Sequence, residues 1–230
     1  MEYKIISTGS NGNAVLLDRR ILIDCGVPLK KLFPYICGLQ LVLLTHRHGD
    51  HYNPRTVAKL AELRPGLRWG CCGWMVSHLI SAGVRPEMID LFGTGIVYVY
   101  PNESPALSVV PFEVPHDVPN CGYKIGINGE RVLYVTDAAN LNGIEAPGFD
   151  LYMVEANYTD EDIQRRIDEK RAAGQFAYEA RAREQHLSKA QADDFICRNI
   201  RPGGKYVYLH EHSYKEATYG ATEVLSVLRK

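Results

Sequence analysis

The sequence predicts an α/β protein built from two β-sheets that pack face to face, with helices on the outer faces. Blocks of short apolar strand patterns alternate with amphipathic helical patterns, and this succession occurs twice along the 230 residues. No internal repeat, low-complexity tract or Pro-, Gly- or Ser-rich linker interrupts the chain. We therefore expect a single domain covering residues 1–230.

The first half contains the first strand block and the first pair of helices. The helix at 53–63 has a clear start, because Asn53 is a good N-cap residue and Pro54 suits the first helical position. The predicted strands of this half are 2–7, 13–18, 20–25 and 40–45, and its predicted helices are 53–63 and 73–84.

The second half repeats the arrangement. Asn128 and Gly129 stand between two strand patterns, which strongly indicates a two-residue β-hairpin. Ser188 is expected to cap the helix that follows it. The predicted strands are 95–100, 107–112, 121–127, 131–136, 149–156 and 205–210, and the predicted helices are about 160–173, 188–199 and 214–229.

Composition excludes several broad classes of protein. With 26 basic and 27 acidic residues the formal charge is −1, so the whole molecule has no general attraction to nucleic acids or membranes. No apolar run approaches the roughly 20 residues of a membrane span, and the start lacks the regions of a signal peptide. The six cysteines are scattered without a C-x-x-C motif. We expect a reduced, cytoplasmic protein without a membrane partner.

A metal-ligand cluster follows the strand predicted at 40–45. The stretch "THRHGDH" places His46, His48, Asp50 and His51 within six residues. Imidazoles and carboxylates are the ligands of divalent zinc, and Asp50 and His51 could serve a second metal beside the one at His46 and His48. Many hydrolases use two metal ions about 3.5–4 Å apart. The alternative is a chance grouping on a solvated loop.

Further ligand types stand at the ends of other strand patterns, which argues against chance. His116 follows "LSVVPFEVP", Asp137 follows "RVLYVT" and His210 follows "KYVYL". A single buried histidine is as often a satisfied core residue as a ligand, but all three share the same placement. His212 lies two residues beyond His210; we prefer His210 because it ends the strand directly.

These residues resemble the metallo-β-lactamase superfamily. "HRHGDH" matches its H-x-H-x-D-H motif, and "LIDCG" at 22–26 is similar to its strand ending in Asp-x-Gly. The resemblance implies an αββα sandwich and two divalent metal ions, most often Zn²⁺, with Mn²⁺ or iron as alternatives. By the same resemblance His46, His48 and His116 would hold one ion, Asp50, His51 and His210 the other, and Asp137 would bridge them.

Shorter stretches resemble one branch of that superfamily. "STGSNGNAVLL", "VTDAANL", "VEANYTDEDI" and "EQHLSKAQADDF" are similar to the single-domain YycJ/WalJ type, which is related to ribonuclease Z. The resemblance implies a phosphodiesterase or nuclease that attacks phosphorus with a metal-bridging hydroxide. It implies a phosphodiester substrate, with nucleic acid or nucleotide as candidates, and Asp50 would also steer the proton of the nucleophile.

Several residues carry both a functional and a structural interpretation. His186 either reaches the substrate, where it would bind the phosphate or act as general acid, or merely precedes the helix. Ser10, Asn11 and Asn13 either turn the chain or help to hold an anion beside the metals. The arginines and Lys170 in "RRIDEKR" and "EARARE" either form solvated helix faces or grip a phosphate backbone.

Two other functions remain open at this stage. The same metals could hydrolyse a thioester or a lactone. Assays with a bis-aryl phosphodiester and with a thioester would distinguish this function from phosphodiester cleavage. A metal-binding module without catalysis is the third alternative, and the complete ligand set argues against it.

Overall fold

The computed structural model describes residues 1–100, 106–210 and the backbone of 219–220. These residues form two compact units, one of residues 1–98 with 110–112 and one of 99–109 with the residues from 113 onward. Each unit contains a mixed β-sheet and helices, as the sequence predicts. The expectation of a single domain over 1–230 stays a prediction.

The first unit holds a six-stranded sheet whose strands follow one another in sequence order. The first three strands pair antiparallel, and the third to sixth pair parallel, so the carboxyl ends of these four lie at one edge. The elements are β1 (Tyr3–Ser7), β2 (Ala14–Leu17), β3 (Ile21–Ile23), α1 (Leu29–Leu32), β4 (Leu41–Leu44), α2 (Pro54–Leu63), β5 (Arg68–Cys72), α3 (Gly73–Ser81) and β6 (Ile89–Phe92).

The core of this unit is formed by apolar side chains of strands and helices together. Leu22, Val42 and Trp69 from the sheet belong to the same buried cluster as Leu60 of α2 and Leu79 of α3. Strands β3 and β4 are buried at every position, which matches the continuous apolar runs of parallel strands. Trp69 is buried, whereas Trp74 is half-buried and donates a hydrogen bond from Nε1 to the Thr45 carbonyl.

The second unit is organised around a seven-stranded sheet of order β13-β12-β11-β10-β9-β8-β7. Strands β10, β11 and β12 are parallel neighbours, so their carboxyl ends lie side by side. The elements are β7 (Tyr98–Tyr100), β8 (Leu107–Val114), β9 (Asn120–Ile127), β10 (Glu130–Val135), β11 (Leu151–Glu155), α4 (Asp160–Ala172), α5 (Glu179–Gln185), α6 (Lys189–Asn199), β12 (Lys205–Leu209) and β13 (Tyr219–Gly220).

Local sequence signals are confirmed where they are strongest. Asn53 accepts hydrogen bonds from the amides of Arg55 and Thr56 and so caps α2. Ser188 caps α6 in a capping box with Gln191. Asn128 and Gly129 adopt positive φ values of 56° and 80° in the turn between β9 and β10, as a type I′ hairpin requires.

Other elements differ from the sequence prediction. Strands β5 and β6 and helix α1 were not predicted, because each is short and lacks a periodic apolar pattern. The helix predicted near 214–229 is wrong at 219–220, which pair with β12 as a strand; the rest of that range lies outside the described residues. Short segments depend on their sheet partners more than on their own propensity.

Candidate metal centre

Four of the predicted ligands lie on the loop between β4 and α2, in the first unit. This ligand loop, residues 45–52, leaves the buried end of β4 and enters the capped start of α2. His46 and His51 are fully buried, and His48 and Asp50 are half-buried. A loop held between two fixed elements keeps such side chains in defined positions.

The three imidazoles of this loop are close neighbours. Nε2 of His46 lies 3.2 Å from Nδ1 of His48, and the rings of His46 and His51 have centroids 4.2 Å apart. Nε2 of His51 lies 3.6 Å from Oδ2 of Asp50. Nitrogen and carboxylate donors packed this closely are the type of donor set that binds divalent transition metals.

Asp24 fixes the orientation of His51. Its Oδ2 atom lies 2.8 Å from Nδ1 of His51, and its Oδ1 atom accepts from the amide and hydroxyl of Thr45. Asp24 is fully buried and adopts the left-handed conformation, with φ 61°. A carboxylate on Nδ1 assigns the proton to that nitrogen and directs Nε2 to a ligand, as in many carboxylate–histidine–metal sites.

Asn13, just before β2, and Gly26, just after β3, hold the ligand loop in place. A Cβ atom at Gly26 would lie 1.7 Å from the carbonyl oxygen of Asp50, so only glycine fits there. The backbone amide of Asn13 donates to the same carbonyl at 2.6 Å, and its side-chain Nδ2 lies 2.7 Å from Nε2 of His51. Nδ2 of Asn13 is also 3.2 Å from the Asp50 carbonyl. Asn13 can therefore keep this hydrogen bond when Nε2 of His51 binds a cation.

A second group of ligand types lies at the carboxyl edge of β10, β11 and β12, in the second unit. Asp137, Glu155, His186 and His210, here called the second-unit cluster, each offer a ligand atom, and these four atoms lie within 4.8 Å of one another. Asp137, Glu155 and His210 follow or end the three parallel strands, and His186 follows α5. Asp137 and His210 have left-handed φ values of 53° and 60°, which turn the chain sharply at each strand end.

The carboxylates and imidazoles of this cluster are directly paired. Nδ1 of His186 lies 2.6 Å from Oε1 of Glu155 and 3.2 Å from Oδ1 of Asp137. Nδ1 of His210 lies 3.3 Å from the same Asp137 oxygen and 3.4 Å from the same Glu155 oxygen. The second oxygen of Glu155 accepts from the amides of Ala138 and Leu187, and that of Asp137 from the Thr136 hydroxyl.

These contacts favour positive charge at the cluster. Burial lowers the pKa of His186, but the charges and hydrogen bonds of Glu155 and Asp137 outweigh it and raise that pKa to about 10. The pKa of His210 is raised in the same way, since Asp137 and Glu155 overcome the effect of burial. Two buried carboxylates side by side need a cation to offset their repulsion. The donor set therefore fits a divalent metal ion.

His116 lies at the end of β8, as the sequence predicts. Its Nδ1 atom is 3.2 Å from the carbonyl oxygen of Gln185, the last residue of α5, and its Nε2 atom is 3.3 Å from Oδ1 of Asp117. Both ring nitrogens therefore face an oxygen atom; a metal ion on Nε2 would require the proton to be on Nδ1, where the Gln185 carbonyl can accept it. Asp117 is in turn paired with Arg181 of α5 at 2.6 Å. Helix α5 thus orients His116 and leads directly to His186.

The basic residues of α4 and α5 are mostly engaged in pairs within their own region. Arg165 and Arg166 pair with Asp162, and Lys170 pairs with Glu179. Arg183 donates to Gln164, and Arg181 to Asp117. These contacts support the interpretation of solvated helix faces over a grip on a phosphate backbone.

Sequence reasoning missed Glu155 and did not assign a role to Asp24. Glu155 ends the apolar strand "LYMVE", so the strand-end rule that identified Asp137 would also have found it. Asp24 was noted only as part of "LIDCG", whose Asp-x-Gly pattern carried no stated function. His212 lies outside the described residues. Ser10, Asn11 and Asn13 lie in the turn before β2, where Asn13 Oδ1 accepts from the amide of Gly9 at 2.8 Å.

Comparison with known proteins identifies the family. Residues 19–202 match the family model described as the beta-lactamase superfamily domain. The chain belongs to the metallo-β-lactamase superfamily. This family consists of metal-dependent hydrolases, and the sequence-based expectation of the superfamily is confirmed. No match to a protein of curated function was found.

Several solved structures share the fold at low sequence identity. The metallo-β-lactamase fold protein YhfI from Bacillus subtilis has a TM-score of 0.66 at 15% identity, covering 93% of this chain and 86% of that one. The short form of human tRNase Z has a TM-score of 0.64 at 16% identity, covering 92% of each chain. Zn²⁺-bound PqqB from Methylobacterium extorquens has a TM-score of 0.63 at 15% identity, with 92% and 89% covered. The αββα fold class is therefore confirmed.

The superfamily assignment agrees with the metal-ligand types found in both units. Of the seven predicted ligands, His46, His48, Asp50 and His51 lie in the first unit, and His116, Asp137 and His210 in the second.

Within the described residues no helix is long and apolar enough to cross a membrane.

Proposed function

We propose that this superfamily member is a divalent-metal-dependent phosphodiesterase or nuclease. The observation that carries the proposal is the second-unit cluster, in which a histidine outside the predicted ligand set, His186, is held by the buried carboxylate of Glu155 at 2.6 Å. The fold likeness to human tRNase Z supports the same reaction class.

His186 is proposed to be the general acid for the leaving group. Glu155 binds Nδ1, so Nε2 is the nitrogen that can face a substrate, and in the metal-free protein the two carboxylates raise the pKa of His186. As the bond between phosphorus and the leaving oxygen breaks, the Nε2 proton passes to that oxygen, and water supplies the oxygen that bonds to phosphorus. Neutralising Asp137 and Glu155 would bring the pKa of His186 nearer to the working pH, where a general acid is most effective.

The proposed metal ligands are the predicted residues together with one addition. In the first unit they are His46, His48, Asp50 and His51; in the second they are His116, Asp137 and His210, with Glu155 as a carboxylate that can join them. When bound, divalent ions such as Zn²⁺ polarise the phosphoryl group and make water nucleophilic at neutral pH. Asp50, whose side chain is 27% exposed, is proposed to accept the proton of the attacking water.

A general acid at this position supports a phosphodiester over a thioester substrate. An alkoxide is a poor leaving group and needs a proton, whereas a thiol ionises near pH 8.5 and leaves without one. Most basic side chains of α4 and α5 are paired with acidic or amide side chains of the protein. This supports a substrate that is bound through only a few phosphate groups. A long nucleic acid would instead require many unpaired lysines and arginines, and its binding would weaken steeply with salt.

The test is a substrate panel for the metal-loaded protein. We expect hydrolysis of bis(p-nitrophenyl) phosphate and of a dinucleotide, with a KM for the dinucleotide that changes little between low and moderate salt. Cleavage of a thioester or lactone with no turnover of either phosphodiester would refute the proposal and favour the alternative ester class. A steep rise of KM with salt on a long oligonucleotide would identify an extended nucleic-acid substrate.

A further inference from the structure

Asn120 is a buried asparagine at the start of β9, and the proposed chemistry gives it no role. Only 2% of its surface is exposed. Its side-chain nitrogen, Nδ2, donates to two carbonyl oxygens, that of Thr136 at 3.1 Å and that of Asp137 at 2.7 Å. Within the described part of the chain, its Oδ1 atom has no hydrogen-bond partner. The side-chain hydrogen bonds of Asn120 therefore all go to the end of β10.

The two carbonyls that Asn120 binds are consecutive, and this requires a turn. In an extended strand consecutive carbonyls point to opposite edges, so one amide group cannot reach both. Here the chain leaves β10 and takes a left-handed conformation at Asp137, with φ 53°. That conformation costs a residue with a side chain free energy, although less for aspartate than for most, and neighbouring hydrogen bonds help to stabilise it. The Asn120 amide donates two such bonds.

The turn determines where the Asp137 carboxylate points. With the turn in place, Oδ1 of Asp137 lies 3.2 Å from His186 and 3.3 Å from His210. A return of residue 137 to extended backbone would rotate its side chain away from these positions, since side chains alternate along a strand. The hydrogen bonds of the Asn120 side chain go to the main chain of this turn and not to the carboxylate itself.

We propose that Asn120 is a positioning residue for Asp137 and that it sets the metal affinity of the second-unit cluster. The inference rests on the proposed role of Asp137 as a metal ligand. Groups that orient metal ligands typically change metal affinity by about 10- to 100-fold when they are removed. Loss of the two amide donors should therefore weaken metal binding by that factor while the fold is kept.

The experiment measures the Zn²⁺ affinity of the full chain by competition with a chromophoric chelator after metal removal. Asn120→Ala removes the side chain, and Asn120→Asp keeps its shape but replaces both donors with acceptors. Asn199→Ala is the matched control, because Asn199 also bonds the main chain of the second unit, accepting from Ala146 and donating to Phe195. Thermal unfolding of all three variants gives their stability.

We expect a 10- to 100-fold weaker Zn²⁺ affinity in both Asn120 variants and a change of less than about twofold in Asn199→Ala, even where the loss of Tm is the same. Unchanged affinity in the Asn120 variants would overturn the proposal, and so would an equal loss in the control. If both Asn120 variants fail to fold while the control folds, Asn120 is purely structural and the proposal is wrong. Zn²⁺ binding by a wild type that cleaves no phosphodiester would refute the proposed function and leave this test intact.

Discussion

Nδ1 of His186 lies 2.6 Å from Oε1 of Glu155, whose side chain has no exposed surface. A buried carboxylate on one imidazole nitrogen fixes both the tautomer and the ring orientation, so the other nitrogen acts in a defined direction. The pair links the end of β11 to the residue after α5, two segments that are thirty-one positions apart in sequence.

The first prediction concerns the role of this pair in catalysis. His186→Ala should lower kcat for a dinucleotide by about 10²- to 10⁴-fold, because the leaving alkoxide loses its proton donor. Turnover of bis(p-nitrophenyl) phosphate should fall far less, since nitrophenolate leaves without a proton. Glu155→Gln should act in the same direction. A rise of KM on both substrates with unchanged kcat would show phosphate binding, and equal turnover by mutant and wild type would return His186 to a structural role.

The second prediction concerns the metals. Elemental analysis of protein purified without chelators should find close to two transition-metal ions per chain, as the family resemblance implies. Asp137→Ala should lower this occupancy and abolish hydrolysis, because a buried ligand of the second-unit cluster is lost. Asp150→Ala is the control, since Asp150 is paired with Arg201 and accepts from the Arg131 amide, outside the cluster. Full occupancy in the Asp137 variant would contradict its role as a ligand.

The third prediction compares two glycines next to or within the ligand loop. Gly26→Ala should reduce the free energy of unfolding by at least about 2 kcal/mol and weaken metal binding, because its Cβ would overlap the Asp50 carbonyl. Gly49→Ala lies in the loop itself with no heavy atom within 4 Å of the added Cβ, so we expect a change below about 1 kcal/mol. Chemical denaturation measures both. Equal stability of the two variants would be incompatible with the close approach at Gly26.

The fourth prediction concerns the pH dependence of stability in the metal-free protein. The folded pKa of His186 is raised from 6.5 to about 10, so its contribution to stability is fully present below about pH 6.5 and is lost as the pH rises toward 10. The Tm of chelator-treated protein should therefore fall across this range. The fall should be smaller in His186→Gln, and a remainder should persist because the pKa of His210 is also raised. The same slope in variant and wild type would exclude His186 as its source.

The fifth prediction concerns cysteine reactivity. Burial, with the charge of Asp24, raises the pKa of Cys25 to about 12, and burial with the neighbouring Cys72 and Asp90 raises that of Cys71 to about 12. Cys37 is exposed. At pH 8 a thiol-specific reagent should modify Cys37 rapidly in the native protein and Cys25 and Cys71 only after unfolding, because the thiolate is the reactive form. Peptide mass spectrometry would identify the modified residues, and early labelling of Cys25 would contradict the burial of this strand end.

The amino-acid sequence by itself determined the features that depend on neighbouring residues. The ligand loop could be predicted because His46, His48, Asp50 and His51 are adjacent along the chain and follow an apolar strand. The capped starts of α2 and α6 and the Asn-Gly hairpin are equally local, since a cap or a turn needs only a few consecutive residues. The superfamily resemblance rested on the same short motifs.

The tertiary structure alone decided which distant residues meet. Glu155 lies beside Asp137 and His210 because β11 is between β10 and β12 in parallel order, and a strand's own pattern does not specify its neighbours. Asp24 orients His51, and Asn120 stabilises the turn at Asp137, through backbone conformations with positive φ or contacts across a sheet. Unlike the Asn-Gly hairpin, the turns at Asp24 and Asp137 depend on hydrogen bonds from distant residues, so no short stretch of sequence indicated them on its own.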